Sequence, residues 1–376
     1  MKKSKQLFSE ITSDGQLHFS LDQVDVPEPQ ENEVVVRIEA APINPSDMWP
    51  MFGPANLAEA KLDFSDQSAQ LTAPVHKGLL PRVRSRIDQK LPVGNEGAGI
   101  VVAAGSGKAA QSLMGKVVAV LSGATYSEYV CVPITSCLVH NEGTTPRQAA
   151  SSFVNPLTAL GMVGTMRAEG HSAIVHTAAA SNLGQILNQI CLQDDVPLVN
   201  VVRKQEQVDL LTSQGAKIVT NSSEESFQED LYQGIAQTNA TLGFDATGGG
   251  ELVSDILTAM ERFGSKDIEG LNTYGSLHHK QVYVYGSLDF SPTILNRAYG
   301  MFWGIGGWLL MPFLMKAGPE KVAEMHKRVA NEIDSTFKAH FNEELNFKQV
   351  MTPDVIHQYN AKKTGQKVIL NPSLAS

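Results

Sequence analysis

Cysteine is scarce: Cys131, Cys137 and Cys191 are the only three in 376 residues, and no two of them form a CxxC pair. That excludes a disulfide framework and a four-thiolate zinc lobe, and it fits a reducing compartment. The ten histidines offer no metal signature, because no His-x3-His or Cys–His cluster occurs and the adjacent pair His278-His279 reads as surface or satisfied core. Positive charge falls short of negative, with 30 Lys and Arg against 39 Asp and Glu. A net charge of −9 repels phosphodiester backbones, so nucleic acid is not an expected partner unless a local basic patch overcomes it. The best candidate patch, Arg82, Arg84, Arg86 and Lys90, alternates with Val83 and Ile87 and reads as a solvated helix or loop face. The basic start Met1-Lys2-Lys3-Ser4-Lys5 is followed by no apolar core over 6–14, so the expectation is a cytoplasmic, unexported chain. Long apolar runs are also lacking. The uncharged stretch Ala298–Met315 reaches the minimum length of a spanning helix, but Gly300, Gly304, Gly306, Gly307 and Pro312 interrupt it. A buried wall or a subunit interface is expected there, without membrane insertion. No Ser–His–Asp arrangement or paired-carboxylate signature points to hydrolysis.

What is present is enough apolar side chain, 42% of residues against 18% charged, to bury a sizeable core. A chain of this length is expected to split into two domains. Its first part has short β-rich runs separated by Gly and Pro: Val34–Ile38, Gly99–Val102, Lys116–Val120 and Tyr129–Val132. This is the texture of a partly open β-barrel. Between these runs, Pro54–Leu91 has little periodicity and receives no assignment. From about Pro146, apolar helical stretches alternate with short apolar strands at Ala173–His176, Leu198–Val202, Lys217–Val219, Leu242–Asp245 and Gln281–Tyr285. That alternation predicts βαβ units and a doubly wound parallel sheet, an α/β fold.

The chemistry begins after the first of these strands. The turn reads Thr177-Ala178-Ala179-Ala180-Ser181-Asn182-Leu183-Gly184, and Ile186, Leu187, Ile190 and Cys191 follow at helical spacing. Small residues here let the amides at a helix N-terminus approach a pyrophosphate, although such a turn also serves simple packing. Alanines and a serine replace the first glycines of G-x-G-x-x-G, and Gly184 holds the last. The second strand ends at Arg203-Lys204, 19 residues past Gly184, where an NAD enzyme carries a ribose-binding carboxylate. A basic pair there suits the 2′-phosphate of NADPH; the other reading is a solvated charge run leading into the helix of Gln205–Leu211.

With these residues in view the sequence resembles the medium-chain dehydrogenase/reductases, and among them the zinc-free quinone oxidoreductase and enoyl reductase branch. Ala40-Ala41-Pro42-Ile43-Asn44-Pro45-Ser46-Asp47 is similar to the family's A-x-x-x-N-P-x-D segment, and Gly94-Asn95-Glu96-Gly97-Ala98-Gly99-Ile100-Val101 to its barrel signature. Asn155-Pro156-Leu157-Thr158-Ala159 resembles its first linking helix, Phe244-Asp245-Ala246-Thr247-Gly248-Gly249 its fourth-strand turn, and Thr364–Leu370 its closing strand. The resemblance runs nearly end to end. It implies a Rossmann domain over 153–319 and a GroES-like barrel domain over 1–152 and 320–376.

The departures from the family are informative. Where zinc relatives place a Cys and a His, this sequence has Ser46 and Asn95, which are not competent zinc ligands there. Glu96 remains, with the reading of a structural carboxylate. The resemblance therefore implies a metal-independent, NADPH-dependent oxidoreductase passing hydride to a quinone or an α,β-unsaturated carbonyl. The alternatives are a 2-enoyl reductase acting on an acyl thioester or enoate, and a non-catalytic NADPH-binding protein. It places Asn44 and Asp47 on the nicotinamide side. Asn155, Thr158, Ala179, Ala180, Ser181, Asn182, Leu183, Gly184, Arg203, Lys204, Asn221, Thr247, Tyr285, Gly286 and Ser287 go to the cofactor. Trp49 and Trp303 are expected as pocket walls. Tyr126 is the expected proton donor, against the plainer reading of a packed tyrosine. Since family sheets often meet edge to edge and Phe302–Trp308 falls in that region, a homodimer is expected.

Overall fold

A computed structural model describes residues 3–64, 69–361 and 367–374. Met1 and Lys2 of the basic start and Thr364-Gly365-Gln366 of the closing-strand segment lie outside them. The fold divides into two compact units, Met1–Val154 with His326–Ser376, and Asn155–Met325.

The first unit is built on two sheets. One runs, in spatial order, Lys61–Phe64, Ala69–Pro74, Gln16–Asp25, Lys3–Ile11 and Leu91–Pro92. The other runs Cys137–Val139, Val117–Leu121, Glu96–Ala104, Glu33–Pro42, Val368–Leu370 and Glu343–Leu345, and Tyr129–Pro133 also pairs with Glu33–Pro42. Alternation decides which face is buried: Leu7 and Ile11 of one strand and Val34, Val36 and Ile38 of another are enclosed in a single apolar core. Pro54–Leu91, unassigned from sequence, supplies Lys61–Phe64, Ala69–Pro74 and the first of the two residues of the Leu91–Pro92 strand, so it extends the first sheet. Its pattern was obscured because Lys61–Phe64 is largely exposed and its hairpin is short.

In the second unit six strands are all parallel: β1 Ile174–Thr177, β2 Leu198–Val202, β3 Ile218–Asn221, β4 Leu242–Asp245, β5 Lys280–Val284 and β6 Trp303–Gly307. Their order is β3-β2-β1-β4-β5-β6, the doubly wound order of a dinucleotide-binding sheet. Strands β1, β2 and β4 are buried at every position, which explains why their sequences are continuous apolar runs rather than alternating ones. Helix α1 Val154–Ala168 leads into β1, and the crossover helices include α2 Asn182–Gln193, α3 Gln205–Ser213, α4 Phe227–Thr238 and α5 Leu252–Gly264.

The expected buried wall at Ala298–Met315 is corrected. The stretch contains the edge strand β6 and the start of a helix, and Met301, Phe302, Leu309, Met311 and Met315 are exposed in the single chain. Strand β6 was hidden because three of its five residues are glycine. Two of these have a packing reason: a Cβ at Gly304 would lie 2.4 Å from Gln281 Oε1, and one at Gly306 would lie 3.1 Å from the Tyr283 ring. No helix among the described residues is long and apolar enough to cross a membrane.

Candidate functional site

In the Asn155–Met325 unit, the strand order reverses between β1 and β4, and the residues ending these two strands are tied together. Thr177 Oγ1 donates to Asp245 Oδ1 at 2.6 Å and accepts from Ala246 N at 2.8 Å. Asp245 further accepts from Thr247 N at 3.0 Å and Gly248 N at 2.7 Å. A buried carboxylate that collects this many donors is satisfied without a counter-ion. The turn after β4 is pinned to the segment after β5 as well, because Gly286 packs so closely that a Cβ would sit 2.5 Å from Ala246 O. Beside this crevice His176 Nε2 meets the Tyr285 hydroxyl at 2.8 Å, with the two rings stacked 5.7 Å apart. Burial drives the His176 imidazole down to about 3 and the Tyr285 phenol upward, so both are neutral. Sequence reasoning missed His176, Thr177 and Asp245 as a group. The available signal was polar residues closing otherwise apolar parallel strands.

The turn from β1 into α2 is shaped for close approach. Ala178 adopts φ +50, and Ser181 caps the helix by accepting from Gly184 N at 3.1 Å. A Cβ on Gly184 would lie 2.2 Å from Ala179 O, so glycine is what lets α2 pack against the strand end. Among the described residues Asn182 Nδ2, buried at the head of this helix, has no hydrogen-bond partner. Arg203 and Lys204 follow β2 and are exposed; Lys204 reaches Glu206 at 3.3 Å, and Arg203 N donates to Gln207 Oε1 at 3.0 Å. Asn221 faces its own turn, accepting from Ser223 N at 3.1 Å. Thr158 is buried and Asn155 half-buried at the start of α1. Trp303 packs edge-on against the enclosed Tyr299 at 5.0 Å, the setting of a packing residue.

The remaining sequence candidates fall in the other unit, around an enclosed polar nest. Asp47 accepts from Asn44 N at 2.8 Å and Asn95 N at 2.9 Å, while Glu96 accepts from Asn44 Nδ2 at 2.8 Å, Phe153 N at 3.0 Å and Val154 N at 2.9 Å. Both carboxylates are 1% exposed. Desolvation pushes Asp47 up to about 7 and Glu96 upward, and the Lys367 ammonium opposes the rise at Glu96. Lys367 is itself held down to about 8 by desolvation. Lys367 is a site residue that sequence reasoning did not single out, since only folding brings it to Glu96 from the far end of the chain. Ser46 and Asn95, at the zinc-ligand places of relatives, hydrogen-bond to each other at 3.2 Å. Among the described residues no group of three or more His, Cys, Asp or Glu is arranged to hold a metal ion.

Tyr126 requires a correction. It is 0% exposed, its hydroxyl donates to Pro42 O at 3.0 Å, and burial with the nearby Asp47 charge holds its pKa well above the ordinary value. A phenol so enclosed has no open route to an acceptor, and the plainer reading of a packed tyrosine stands. Trp49 is 43% exposed on the short helix Met48–Phe52, whose Met48, Met51 and Phe52 are buried. A cavity of about 560 Å³ lined by Glu169, His171, Thr241, His278, His279 and Tyr283 opens near the N-terminal side of β4, away from the strand ends that carry the crevice. It accounts for the exposed His278-His279 pair.

No protein-family model matches the chain. It is 30% identical over 161 residues to the human synaptic vesicle membrane protein VAT-1 homolog, covering 42% of this chain and 38% of that relative. To the mitochondrial enoyl-[acyl-carrier-protein] reductase of Xenopus tropicalis it is 26% identical over 278 residues, covering 70% of this chain and 67% of the relative. Among solved structures, a Mesorhizobium loti protein provisionally described as an NADPH:quinone reductase superposes with TM-score 0.72 at 22% identity, covering 99% of each chain. A mycobacterial protein solved in complex with NADPH superposes with TM-score 0.65 at 18% identity, covering 98% of this chain and 100% of that one.

Proposed function

We propose, for a chain that has the medium-chain dehydrogenase/reductase fold and resembles its zinc-free quinone reductase branch, that it is an NADPH-dependent oxidoreductase acting on a quinone or an α,β-unsaturated carbonyl. The observation that carries the reading is the Ala178–Gly184 turn at the β1/β4 switch point. There Gly184 admits close helix-to-strand packing, and the unpartnered Asn182 Nδ2 waits at the helix head. These features fit a dinucleotide pyrophosphate. The first-turn amides of Asn182 and Leu183 head α2 with no intrahelical acceptor and would hold it, Ser181 positioning the turn. Arg203 and Lys204 would take the 2′-phosphate. When bound, the cofactor supplies a hydride from nicotinamide C4, and a proton from solvent completes the reduced acceptor.

The Thr177–Asp245 tie and Gly286 fix the loops that flank the site, while Tyr285 and Ser287 lie after β5 where the resemblance sets the carboxamide. Asn44 and Asp47 belong, by the same resemblance, to the nicotinamide side; Asp47 acts by holding the Asn44 and Asn95 backbone. With Ser46 and Asn95 bonded to each other, the acceptor must already be electrophilic, and the protein contributes position and a dry surface.

A second reading, reduction of a 2-enoyl thioester, is favoured by the 278-residue match to an enoyl reductase. We also infer a cytoplasmic homodimer, supported by the open β6 edge beside exposed Met301 and Phe302. The test is steady-state NADPH oxidation with a panel of quinones, enones and enoyl thioesters. Acceptor-dependent oxidation that survives a chelator is the expected result. Tight NADPH binding with no oxidation by any acceptor would replace this reading with a non-catalytic one, and zinc-dependent turnover would overturn the mechanism.

A further inference from the structure

We propose that the cavity at the N-terminal side of β4 is a second ligand site, separate from the cofactor crevice, for a small organic amine bound as its cation. All of its lining belongs to the Asn155–Met325 unit, and hydrogen bonds fix the pieces. The turn that ends α1 is closed by His171 N donating to Met166 O at 2.9 Å and Gly170 N to Arg167 O at 3.3 Å, with Gly170 at φ +77. From that turn His171 Nδ1 meets Thr241 Oγ1 at 2.7 Å, and Glu169 Oε1 accepts from the Tyr283 hydroxyl of β5 at 2.9 Å. On the other side the buried Lys280 Nζ donates to His278 O at 3.0 Å, and the His279 ring lies 4.9 Å from that of Phe302. Gly304 and Gly306 of the edge strand leave room for the Gln281 and Tyr283 side chains that line the cavity.

Charge decides the ligand class. Among the described residues no Lys or Arg lines the cavity, and the basic residues adjacent in sequence are taken: Arg167 pairs with Asp194 at 3.1 Å and Lys280 with Glu261 at 2.5 Å. Glu169 itself enters no ion pair among the described residues. It stands just past the end of α1, where the aligned peptide dipoles already place partial negative charge. Burial pushes the His171 imidazole down and the neighbouring His279 adds to the fall, so His171 stays neutral and does not balance the carboxylate. A carboxylate and a helix C-terminus facing one cavity with no protein cation call for a positive ligand. The Tyr283 and His279 rings give its walls aromatic faces suited to a flat organic body and to contact with its charge. A volume of about 560 Å³ is that of a small-molecule site. The side chains do not form the three-ligand group that a metal ion needs.

The experiment titrates the full chain by calorimetry with three probes of one shape: the cation tyramine, the uncharged para-ethylphenol and the anion para-hydroxyphenylacetate, each with and without NADPH. The variants are Glu169→Gln, which keeps an acceptor for the Tyr283 hydroxyl while removing the charge, and Glu169→Lys, which reverses it. Thermal unfolding is the folding check. The expected result is that the wild type binds tyramine about tenfold more tightly than para-ethylphenol, and that Glu169→Gln levels the two. Glu169→Lys should abolish tyramine binding, and NADPH should leave it unchanged. Tightest binding of para-hydroxyphenylacetate would make the histidines, not Glu169, the governing groups and overturn the proposal. So would absence of tyramine binding, equal affinity for all three probes, indifference to both variants, or competition between tyramine and NADPH. Because binding is the readout, the result does not depend on which acceptor the crevice reduces.

Discussion

The two candidate sites treat charge in opposite ways, although the Asn155–Met325 unit has a buried ion pair of its own, Lys280 with Glu261 at 2.5 Å, away from its crevice. In the Met1–Val154 and His326–Ser376 unit, Asp47, Glu96 and Lys367 are enclosed together, and desolvation moves each away from its ordinary pKa. In the Asn155–Met325 unit, the buried Asp245 is satisfied by a hydroxyl and backbone amides, and the cations after β2 stand in water. The first arrangement couples distant parts of the chain through a low-dielectric interior; the second is assembled almost wholly from neighbours around strand ends. Damage should therefore spread widely in one and stay local in the other.

The largest expected effect is on the enclosed nest. Lys367→Met should cost about 3 kcal/mol of stability, because it leaves buried Ser151 Oγ without its ammonium donor and removes the charge that opposes the desolvation of Glu96. Denaturant unfolding measures it. The double variant Lys367→Met/Glu96→Gln should recover part of the loss because the uncompensated carboxylate is then gone. Strictly additive losses would show that the ammonium does not balance Glu96.

The same nest dictates a pH dependence. The Asp47 pKa is raised from 3.8 to about 7 in the fold, so the folded state holds an extra proton between those values. Its contribution is fully present below pH 3.8 and is lost as pH rises through about 7, with a slope approaching 1.4 kcal/mol per unit at most. Lys367, lowered from 10.5 to about 8, works in the other direction: its contribution is present above 10.5 and lost as pH falls through about 8. Comparing wild type with Asp47→Asn across pH 4 to 7 should reveal the difference as a falling curve. Parallel curves would mean that Asp47 stays ionised in the fold.

In the other unit Thr177→Val removes the hydroxyl that bridges Asp245 and Ala246 N, both buried. A loss of about 1–3 kcal/mol is expected, confined to the switch point. Urea unfolding together with NADPH affinity tests this: a loss as large as that at Lys367 would erase the contrast between the units.

How legible each region was in the sequence follows the same division. Five of the six parallel strands were readable, since buried parallel strands are uniformly apolar, and so was the β1-to-α2 turn, where small residues and Gly184 are contiguous. Strand β6 was not, because its glycines exist to admit Gln281 and Tyr283 from the neighbouring strand. In the first unit Lys3–Ile11 and Gln16–Asp25 escaped notice: the alternation of the first is carried partly by buried Ser4 and Ser9, which look polar in sequence, and that of the second stops after Leu17, Phe19 and Leu21. The Asp47–Glu96–Lys367 nest was invisible for a plainer reason. Glu96 and Lys367 are 271 residues apart and Asp47 and Lys367 320, and nothing local marks a carboxylate whose buried charge a distant lysine will oppose.

The smallest effect on stability, and the sharpest on binding, belongs to the exposed cations. Arg203 is solvent-exposed and its backbone, not its guanidinium, makes the contacts with Gln207 and Ser223, so Arg203→Ala should leave the unfolding midpoint unchanged. A 2′-phosphate beside it gains charge-assisted hydrogen bonds that NADH cannot make. Because the site is open to water, the lower end of the usual range applies, about 1.5 kcal/mol, or roughly tenfold in NADPH dissociation constant. NADH binding should be unmoved. Lys204 should contribute less, since its ammonium is already shared with Glu206 at 3.3 Å. The preference should weaken with added salt, as a surface contact requires. Dissociation constants of both cofactors for wild type, Arg203→Ala and Lys204→Ala decide the matter. Equal wild-type affinity for NADH and NADPH, or equal weakening of both by Arg203→Ala, would leave Arg203 as a surface charge and remove the 2′-phosphate from the end of β2.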